Sequence, residues 1–253
     1  MLWGPVTKSA SLASPGGLPH PPRGMGVVVA IDGPAGAGKS TVARAVADQL
    51  GFTRVDTGAI YRCVTLLALE RGLEESAALA DAARRLNLDF EGTQVSLEGR
   101  DVTRAIRSSE VTGAVSGVSA VPEVRAALLE TQRRLAREHP RGAVLEGRDI
   151  GTVVFPDADV KVFLTASDEE RARRRHAELV AGGSGETIDL VLESIRRRDA
   201  LDAGRAVAPL VAAEDATVVD STGLSQAEVV HRIVSIVRQK VGEGRPPSPP
   251  GAS

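Results

Sequence analysis

The residues with the clearest chemistry form one segment near the start of the chain, Gly33-Pro34-Ala35-Gly36-Ala37-Gly38-Lys39-Ser40. Its pattern, G-x-x-x-x-G-K-S, has the spacing of a phosphate-binding P-loop. The glycines let the backbone curl so that successive N–H groups point inward toward an anion. We expect Lys39 to reach the β- and γ-phosphates and the Ser40 hydroxyl to ligate Mg²⁺. The segment therefore predicts a binding site for a nucleoside triphosphate.

A second group of charged residues, Glu146, Arg148 and Asp149, follows the apolar run 143–145. Ligands of open α/β sheets bind at the carboxyl ends of the strands, so this placement favours a functional role. Glu146 is suited to support Mg²⁺ indirectly, as the acidic residue of a Walker B strand does. Two roles remain open for Asp149: recognition of a ligand, or a structural salt bridge to a neighbouring arginine.

Strands and helices must position both groups, and the flanking sequence provides them. The apolar run 27–31 precedes the P-loop and residues 41–47 have helical spacing, so the motif lies where a buried strand turns into a helix. The helix start adds unpaired N–H donors and a positive partial charge, both of which favour phosphate. A chance glycine-rich turn is the alternative, and it does not explain strand, spacing and helix together.

The whole chain alternates strands with helices, which predicts an α/β protein with a P-loop NTPase fold, a five-stranded parallel sheet flanked by helices. The predicted strands are 27–31, 53–55, 143–146, 160–164 and 217–220. Residues 88–99 alternate with period two around a glycine-containing turn and predict an antiparallel hairpin. Because a local hairpin does not fit a parallel sheet, we assign residues 76–140 to an inserted subdomain.

The P-loop core is then made of two stretches, residues 25–75 and 141–241. Within the second stretch, the arginine-rich segment 168–208 predicts a helical lid, in which a helix carrying residues 196–199 is expected to run on to Arg205. A solvated amphipathic helix is the alternative explanation for its run of arginines.

Both ends of the chain have the composition of unstructured segments. Residues 1–24 and 242–253 are rich in Pro, Gly and Ser, and we expect them to form a disordered leader and a disordered tail. Met25 lies directly before the first strand and is a candidate start of the folded protein.

Composition excludes several classes of protein. The chain has 31 Lys and Arg against 33 Asp and Glu, with one Trp, one Tyr and four Phe. It therefore offers neither a basic field nor an aromatic platform for nucleic acid. No apolar run approaches the length that spans a membrane. A single cysteine, Cys63, fits a reducing cytoplasm, so we expect a cytoplasmic protein. We also expect the protein to be a monomer.

Three kinds of P-loop protein compete: a small-molecule kinase, a GTP-driven switch and an ATP-driven motor. A GTPase needs an Asn-Lys-x-Asp segment to recognise guanine, whereas the one asparagine, Asn87, precedes Leu88. A motor is expected to carry a basic or aromatic track, and none is apparent. The kinase alternative predicts arginines that converge on a second phosphate-bearing substrate.

Five segments taken together closely resemble the bacterial cytidylate (CMP) kinase family. They are Asp32-Gly-Pro-Ala-Gly-Ala-Gly-Lys-Ser40, Asp56-Thr-Gly-Ala-Ile-Tyr-Arg62, Glu146-Gly-Arg-Asp-Ile-Gly-Thr-Val-Val-Phe-Pro156, Arg205-Ala-Val-Ala-Pro-Leu210 and Asp220-Ser-Thr-Gly223. The P-loop alone is not specific, but the second, third and fourth segments together are. The resemblance runs in order from about Val27 to Lys240, and it implies that the inserted subdomain 76–140 binds the nucleoside monophosphate.

The resemblance implies a role for each matched position. ATP would be held by Gly33, Pro34, Ala35, Gly36, Ala37, Gly38, Lys39, Ser40, Thr41 and Arg174. The CMP site would comprise Thr57, Tyr61, Arg62, Ser116, Arg125, Asp149, Arg198, Asp202 and Arg205. Within that site, Ser116, Arg125 and Asp149 would recognise the cytosine ring. The groups expected to stabilise the transferring phosphoryl are Lys39, Arg148, Arg198 and Arg205.

Three positions depart mildly from the family pattern. Thr57 stands where Ser is frequent, Ser40 where some members have Gly, and Glu146 where Asp is frequent. The hydroxyls are kept at positions 40 and 57, so Ser40 is expected to bind Mg²⁺ directly or through water, with Glu146 in support.

The resemblance implies phosphoryl transfer from ATP to CMP and dCMP. A carboxylate such as Asp149 can accept a hydrogen bond from the cytosine amino group, while Arg125 and Ser116 donate to ring acceptors. Uracil would present a carbonyl to the same carboxylate, a mismatch worth ~1–3 kcal/mol. A kinase for another monophosphate, UMP especially, is the alternative, followed by a shikimate-type kinase.

Overall fold

The computed structural model describes residues 26–244. The predicted leader at 1–24, Met25 and residues 245–253 lie outside the described residues. The prediction of a disordered tail from 242 is wrong for its first three residues, because the last helix extends to Gly244. Val241, a residue of that helix, packs against the hydrophobic core and holds the helix past the predicted end.

The strands form two separate sheets. In chain order they are β1 (Val27–Asp32), β2 (Thr53–Asp56), β3 (Leu88–Glu91), β4 (Gln94–Leu97), β5 (Arg100–Asp101), β6 (Gly142–Gly147), β7 (Val160–Thr165) and β8 (Thr217–Asp220). The larger sheet has the order β2-β6-β1-β7-β8, and all of its pairs are parallel. The predicted five-stranded parallel sheet is therefore confirmed, with β1 at its centre.

Eight α-helices surround these sheets in the described part of the chain. They are α1 (Lys39–Leu50), α2 (Thr57–Arg71), α3 (Ser76–Arg84), α4 (Ser109–Ala120), α5 (Pro122–Arg137), α6 (Asp168–Ala181), α7 (Ile188–Ala203) and α8 (Gln226–Gly244). A short 3₁₀ turn covers Ala105–Arg107, and a π-helical turn covers Ile150–Val154. No helix of residues 26–244 has both the length and the apolar character needed to cross a membrane.

The central strand β1 is buried along its whole length because helices cover both faces of the sheet. Alternate side chains point to opposite faces. Val29 and Ile31 pack in a core cluster with residues of α1 and α8, whereas Val28 and Ala30 pack in a second cluster with Ala136 of α5. This burial fixes the end of β1, from which the P-loop starts.

The inserted region contains the predicted hairpin and one strand more. β3, β4 and β5 form a three-stranded antiparallel sheet, whereas the sequence predicted two strands. The third strand has two residues, too few for a visible alternation of side chains. In the same region, α5 packs against the main sheet through Ala136 and against α2 and α3 through Leu128. This helix therefore joins the insertion to the core.

The arginine-rich segment folds as two packed helices, α6 and α7, with Gly182–Gly185 between them. Ala172, Val191 and Ile195 form their small apolar core. The sequence predicted a helix running on to Arg205, and this is wrong by two residues. Gly204 caps α7 through its N–H bond to the Ala200 carbonyl, so Arg205 lies beyond the helix end.

Candidate active site

The predicted P-loop has a curled backbone between β1 and α1. Gly36 and Gly38 take φ values of 75° and 87°, a left-handed conformation that favours glycine. Lys39 is the first residue of α1, and its Nζ donates to the Pro34 carbonyl at 2.7 Å. Burial and the nearby Arg148 hold the pKa of Lys39 well below its usual value. The loop therefore presents backbone donors, a helix start and a buried cation in one place.

The lid contacts this loop through a pair of residues that sequence reasoning missed. Arg171 of α6 donates to the Ala35 carbonyl at 2.8 Å, and Asp199 of α7 accepts from the Ala35 N–H at 3.1 Å. The two side chains also form an ion pair with each other. The sequence placed Arg171 in a run with a solvated helix as its alternative, and only the folded chain shows that it is 4% exposed.

The two residues predicted to support Mg²⁺ lie side by side. Ser40 Oγ donates to Glu146 Oε2 at 2.5 Å, and Arg54 Nε lies 3.1 Å from Glu146 Oε1. Burial, with Asp56 nearby, raises the pKa of Glu146 to about 7. Arg54 did not figure among the predicted site residues; its sole signal was a position on the strand before Asp56.

This pair fits Mg²⁺. Magnesium keeps several waters and takes one or two protein oxygens together with substrate phosphates, so a dedicated protein cage is not required. A hydroxyl at the first turn of the P-loop helix and a buried carboxylate on the neighbouring strand match that donor set. Within residues 26–244, no group of three or more His, Cys, Asp and Glu side chains is arranged to hold a metal ion.

Asp149 and Arg125 form a buried ion pair on the other side of the site, with the guanidinium donating to Asp149 Oδ2. Arg125 also donates to the Ser119 carbonyl at 3.0 Å and lies over the Tyr61 ring, 5.3 Å from its centroid. The salt bridge that the sequence left open for Asp149 is therefore present. A carboxylate has about four lone-pair sites, so this bond leaves Asp149 able to accept from a ligand as well.

Asp202 joins two of the predicted arginines. Its side chain is 1% exposed, Arg148 Nε donates to Oδ2 at 2.9 Å, and Arg205 donates to Oδ1. Arg205 also donates to Ser119 Oγ at 2.8 Å, which connects the lid side of the site to the junction of α4 and α5. Ser119 was not predicted, because a single serine on a helix carries no motif.

Three arginines near this point repel one another. The pKa values of Arg62 and Arg198 are lowered to about 10, first by burial and then by neighbouring guanidinium charges, among them that of Arg148 in both cases. The Arg198 Nε is buried and has no hydrogen-bond partner among the described residues. Arg62 donates to the Ile106 carbonyl and to Thr112 Oγ1, both at 2.9 Å. A bound anion would relieve the repulsion within this group.

The remaining predicted residues are Arg174, Thr57, Ser116 and Thr41. Arg174 of α6 donates to Ser221 Oγ at 3.0 Å and to its carbonyl at 2.8 Å, and one Nη is 3.8 Å from where a Cβ on Gly38 would stand. Thr57 Oγ1 donates to the Glu146 carbonyl at 2.6 Å. Ser116 is half-buried on α4, and Thr41 is exposed on α1. Among the residues that the structure describes, no hydrogen bond or ion pair ties the Ser116 or Thr41 side chain to this network.

These features define a class. A P-loop at the end of a central parallel strand, with a group of half-buried arginines near its lysine, is the architecture of a P-loop enzyme that handles two phosphate-bearing ligands. The chain belongs to the cytidylate kinase family: the family model described as "Cytidylate kinase" matches residues 29–239.

Curated relatives agree over most of the chain. A cytidylate kinase of Mycobacterium leprae (strain Br4923) is 49% identical over 218 residues, covering 85% of this chain and 97% of that protein. One from Rhodococcus jostii (strain RHA1) is 50% identical, covering 87% and 98%. One from Caldanaerobacter subterraneus subsp. tengcongensis is 48% identical, covering 84% and 95%. The chain is thus similar to these enzymes along nearly their whole length.

Proposed function

We propose that this protein transfers the γ-phosphoryl group of ATP to the 5′-phosphate of CMP or dCMP, giving CDP or dCDP and ADP. The observation that carries the proposal is the buried Arg125–Asp149 pair, which lies near Asp202, the carboxylate that pairs with Arg148 and Arg205. A carboxylate and a guanidinium match the amino donor and ring acceptors of cytosine. Membership of the cytidylate kinase family supports the same assignment.

The P-loop would hold the donor. In the proposed reaction, backbone N–H groups from Gly36 to Thr41 and the Lys39 ammonium hold the β- and γ-phosphates, and Arg174 contacts ATP from the lid. Ser40, with Glu146 in support, would hold Mg²⁺, which would supply positive charge to neutralise the phosphates. The positive end of α1 adds to the same field.

The acceptor would lie between the inserted region and the lid. Arg62, Arg198 and Arg205 would neutralise the CMP phosphate, with Asp202 on the sugar and Thr57 and Tyr61 along the nucleotide. This set is attractive to a dianion because its guanidinium groups repel one another until an anion lies among them. Ser116, Arg125 and Asp149 would recognise the base.

The reaction does not need a strong general base. A phosphate monoester has its second pKa near about 6, so the attacking oxygen of CMP is already anionic at neutral pH. The barrier comes from bringing two polyanions together, and Lys39, Arg148, Arg198 and Arg205 would stabilise the charge that spreads in the transition state. Closure of α6 and α7 over the site would exclude water, which would otherwise hydrolyse ATP.

One coupled assay tests the proposal. Purified protein with Mg-ATP is offered CMP, dCMP, UMP, AMP, GMP, dTMP or shikimate, and ADP release is measured. We expect CMP and dCMP to be preferred, and Lys39→Ala to be inactive with every acceptor. Brisk turnover of another acceptor with none of CMP would overturn the proposal. UMP is the second candidate acceptor. It differs from CMP in the part of the base that would face Asp149, so the comparison of the two tests the role of that residue.

We further propose that the protein acts as a monomer in the cytoplasm, without a nucleic-acid or membrane partner. The near balance of 31 basic and 33 acidic residues and the single buried cysteine support this. Size-exclusion chromatography with light scattering, at the protein concentration of the assay, measures the mass in solution. A mass of two chains would contradict the monomer.

A further inference from the structure

Asp32 is the last residue of β1 and directly precedes Gly33 of the P-loop. Its side chain is 5% exposed, and both carboxylate oxygens are used. Oδ1 accepts from the Ile150 N–H and Oδ2 from the Gly151 N–H, each at 2.8 Å. One carboxylate therefore receives two consecutive backbone donors from a segment more than a hundred residues away in sequence.

Those two donors open the π-helical turn Ile150–Val154, which follows directly after Asp149. The first N–H groups of a helical turn have no acceptor within the turn. Here the Asp32 carboxylate, at the end of β1, provides the acceptor oxygens. At the same turn, the Asp149 carbonyl accepts from the N–H groups of Val153 and Val154 at 2.9 and 3.1 Å. The Asp149 backbone is therefore held at the start of a turn that Asp32 anchors.

A buried carboxylate is costly, so its retention needs an explanation. Burial raises the pKa of Asp32 to about 6 against the effect of the two N–H bonds, and the nearby negative charge of Asp149 acts in the same direction as burial. Lys39 partly compensates. Hydrogen bonds from N–H groups to an ionised carboxylate are about twice as strong as neutral ones, which suits a group that must hold a loop in one geometry.

We propose that Asp32 is a positioning residue that ties the P-loop to the Arg148–Asp149 segment and so fixes where Asp149 meets the base. It touches neither substrate and acts through the backbone of residues 149–151. The inference rests on the proposed function, in which Asp149 recognises the amino group of cytosine. It extends that function by linking the start of the P-loop, which would hold ATP, to the selectivity of the acceptor site.

The test is Asp32→Asn, which keeps the shape but replaces one of the two acceptor oxygens by an NH₂ group. We expect kcat/KM for CMP to fall about 10- to 100-fold, the effect of a lost charge-assisted hydrogen bond. The value of kcat/KM for UMP should fall less, so the preference for CMP over UMP should shrink. A merely destabilised protein would lose activity with both acceptors equally and keep that preference.

Asp159→Asn is the matched control. Asp159 Oδ2 accepts from the Val28 N–H at 2.8 Å, at the opposite end of the same strand, and this variant should retain the wild-type preference for CMP over UMP. An unchanged preference in Asp32→Asn, with wild type active on CMP, would overturn this inference alone. Wild type inactive on CMP would overturn the proposed function instead.

Should Asp32→Asn fail to fold, amide hydrogen exchange of the wild type provides a second measurement. The Ile150 and Gly151 amides are expected to exchange slowly, because each is bonded to a buried carboxylate. Exchange of both at the rate of an unprotected loop would overturn the inference.

Discussion

The Arg125 guanidinium donates a hydrogen bond to the Asp149 carboxylate, and both side chains are buried. Arg125 comes from α5 at the edge of the inserted region, whereas Asp149 follows the core strand β6. The pair thus joins the two parts of the protein at the point where the base would lie. Burial would lower the pKa of Arg125, but the nearby charges of Tyr61 and Asp149 raise it above its ordinary value.

Removal of the Asp149 side chain should reduce the stability of the folded protein. Asp149→Ala leaves the buried Arg125 charge without its partner, which we expect to reduce the free energy of unfolding by about 3–5 kcal/mol. Urea denaturation measures this. Glu138→Ala is the control, because its ion pair with Arg134 is exposed on both sides, at 47% and 55%, and should be worth less than about 1 kcal/mol. Equal losses in the two variants would contradict the buried role of the pair.

Removal of Arg205 should act on the acceptor. Arg205→Ala deletes a charge-assisted contact worth about 1.5–3 kcal/mol, so kcat/KM for CMP should fall about ten- to a hundredfold. Arg197→Ala, on the same lid but with its side chain 75% exposed, serves as the control. Steady-state kinetics with varied CMP measure both. Kinetics of Arg205→Ala that match wild type would show that Arg205 does not bind the acceptor.

Loss of the Glu146 carboxylate should weaken the use of Mg²⁺. Glu146→Gln removes the charge that accepts from Ser40 Oγ, and we expect the Mg²⁺ concentration giving half-maximal activity to rise about tenfold, the lower end of the effect of a residue that supports a metal ligand. A magnesium titration at fixed ATP measures it. Glu70→Gln, whose partner Arg100 lies on the exposed edge of the insertion, is the control. Identical titrations for Glu146→Gln and wild type would rule out this role.

The Asp32 carboxyl should make stability depend on pH. Its pKa is about 6 in the folded protein against 3.8 ordinarily, so the folded state keeps a proton that the unfolded state has released. Stability should therefore fall as pH rises from about 4 to about 6, by roughly 3 kcal/mol for this group. The free energies of unfolding of wild type and Asp32→Asn are measured by urea denaturation at several pH values. Their difference isolates the contribution of the Asp32 carboxyl. A difference that does not change with pH would contradict the raised pKa.

The sequence by itself determined the fold class and the donor loop. The P-loop residues are consecutive, and the chemistry lies in their own backbone, so a glycine pattern between an apolar strand and a helix was sufficient. The five core strands were predicted for a similar reason: side-chain alternation and continuous burial are local signals. Local signals failed at the short strand β5, at the end of α7, where Gly204 stops the helix, and at the end of α8.

The tertiary structure alone decided which charged groups are partners. Arg205 meets Ser119 across 86 residues of sequence, and Asp32 meets Gly151 across 119. Such contacts depend on how the insertion, lid and sheet pack, and no residue type or spacing encodes them. The same holds for burial: Arg171 stands in a run of arginines, yet packing rather than composition makes it the one that holds Ala35. Sequence named the charged residues, and packing determined the pairs they form.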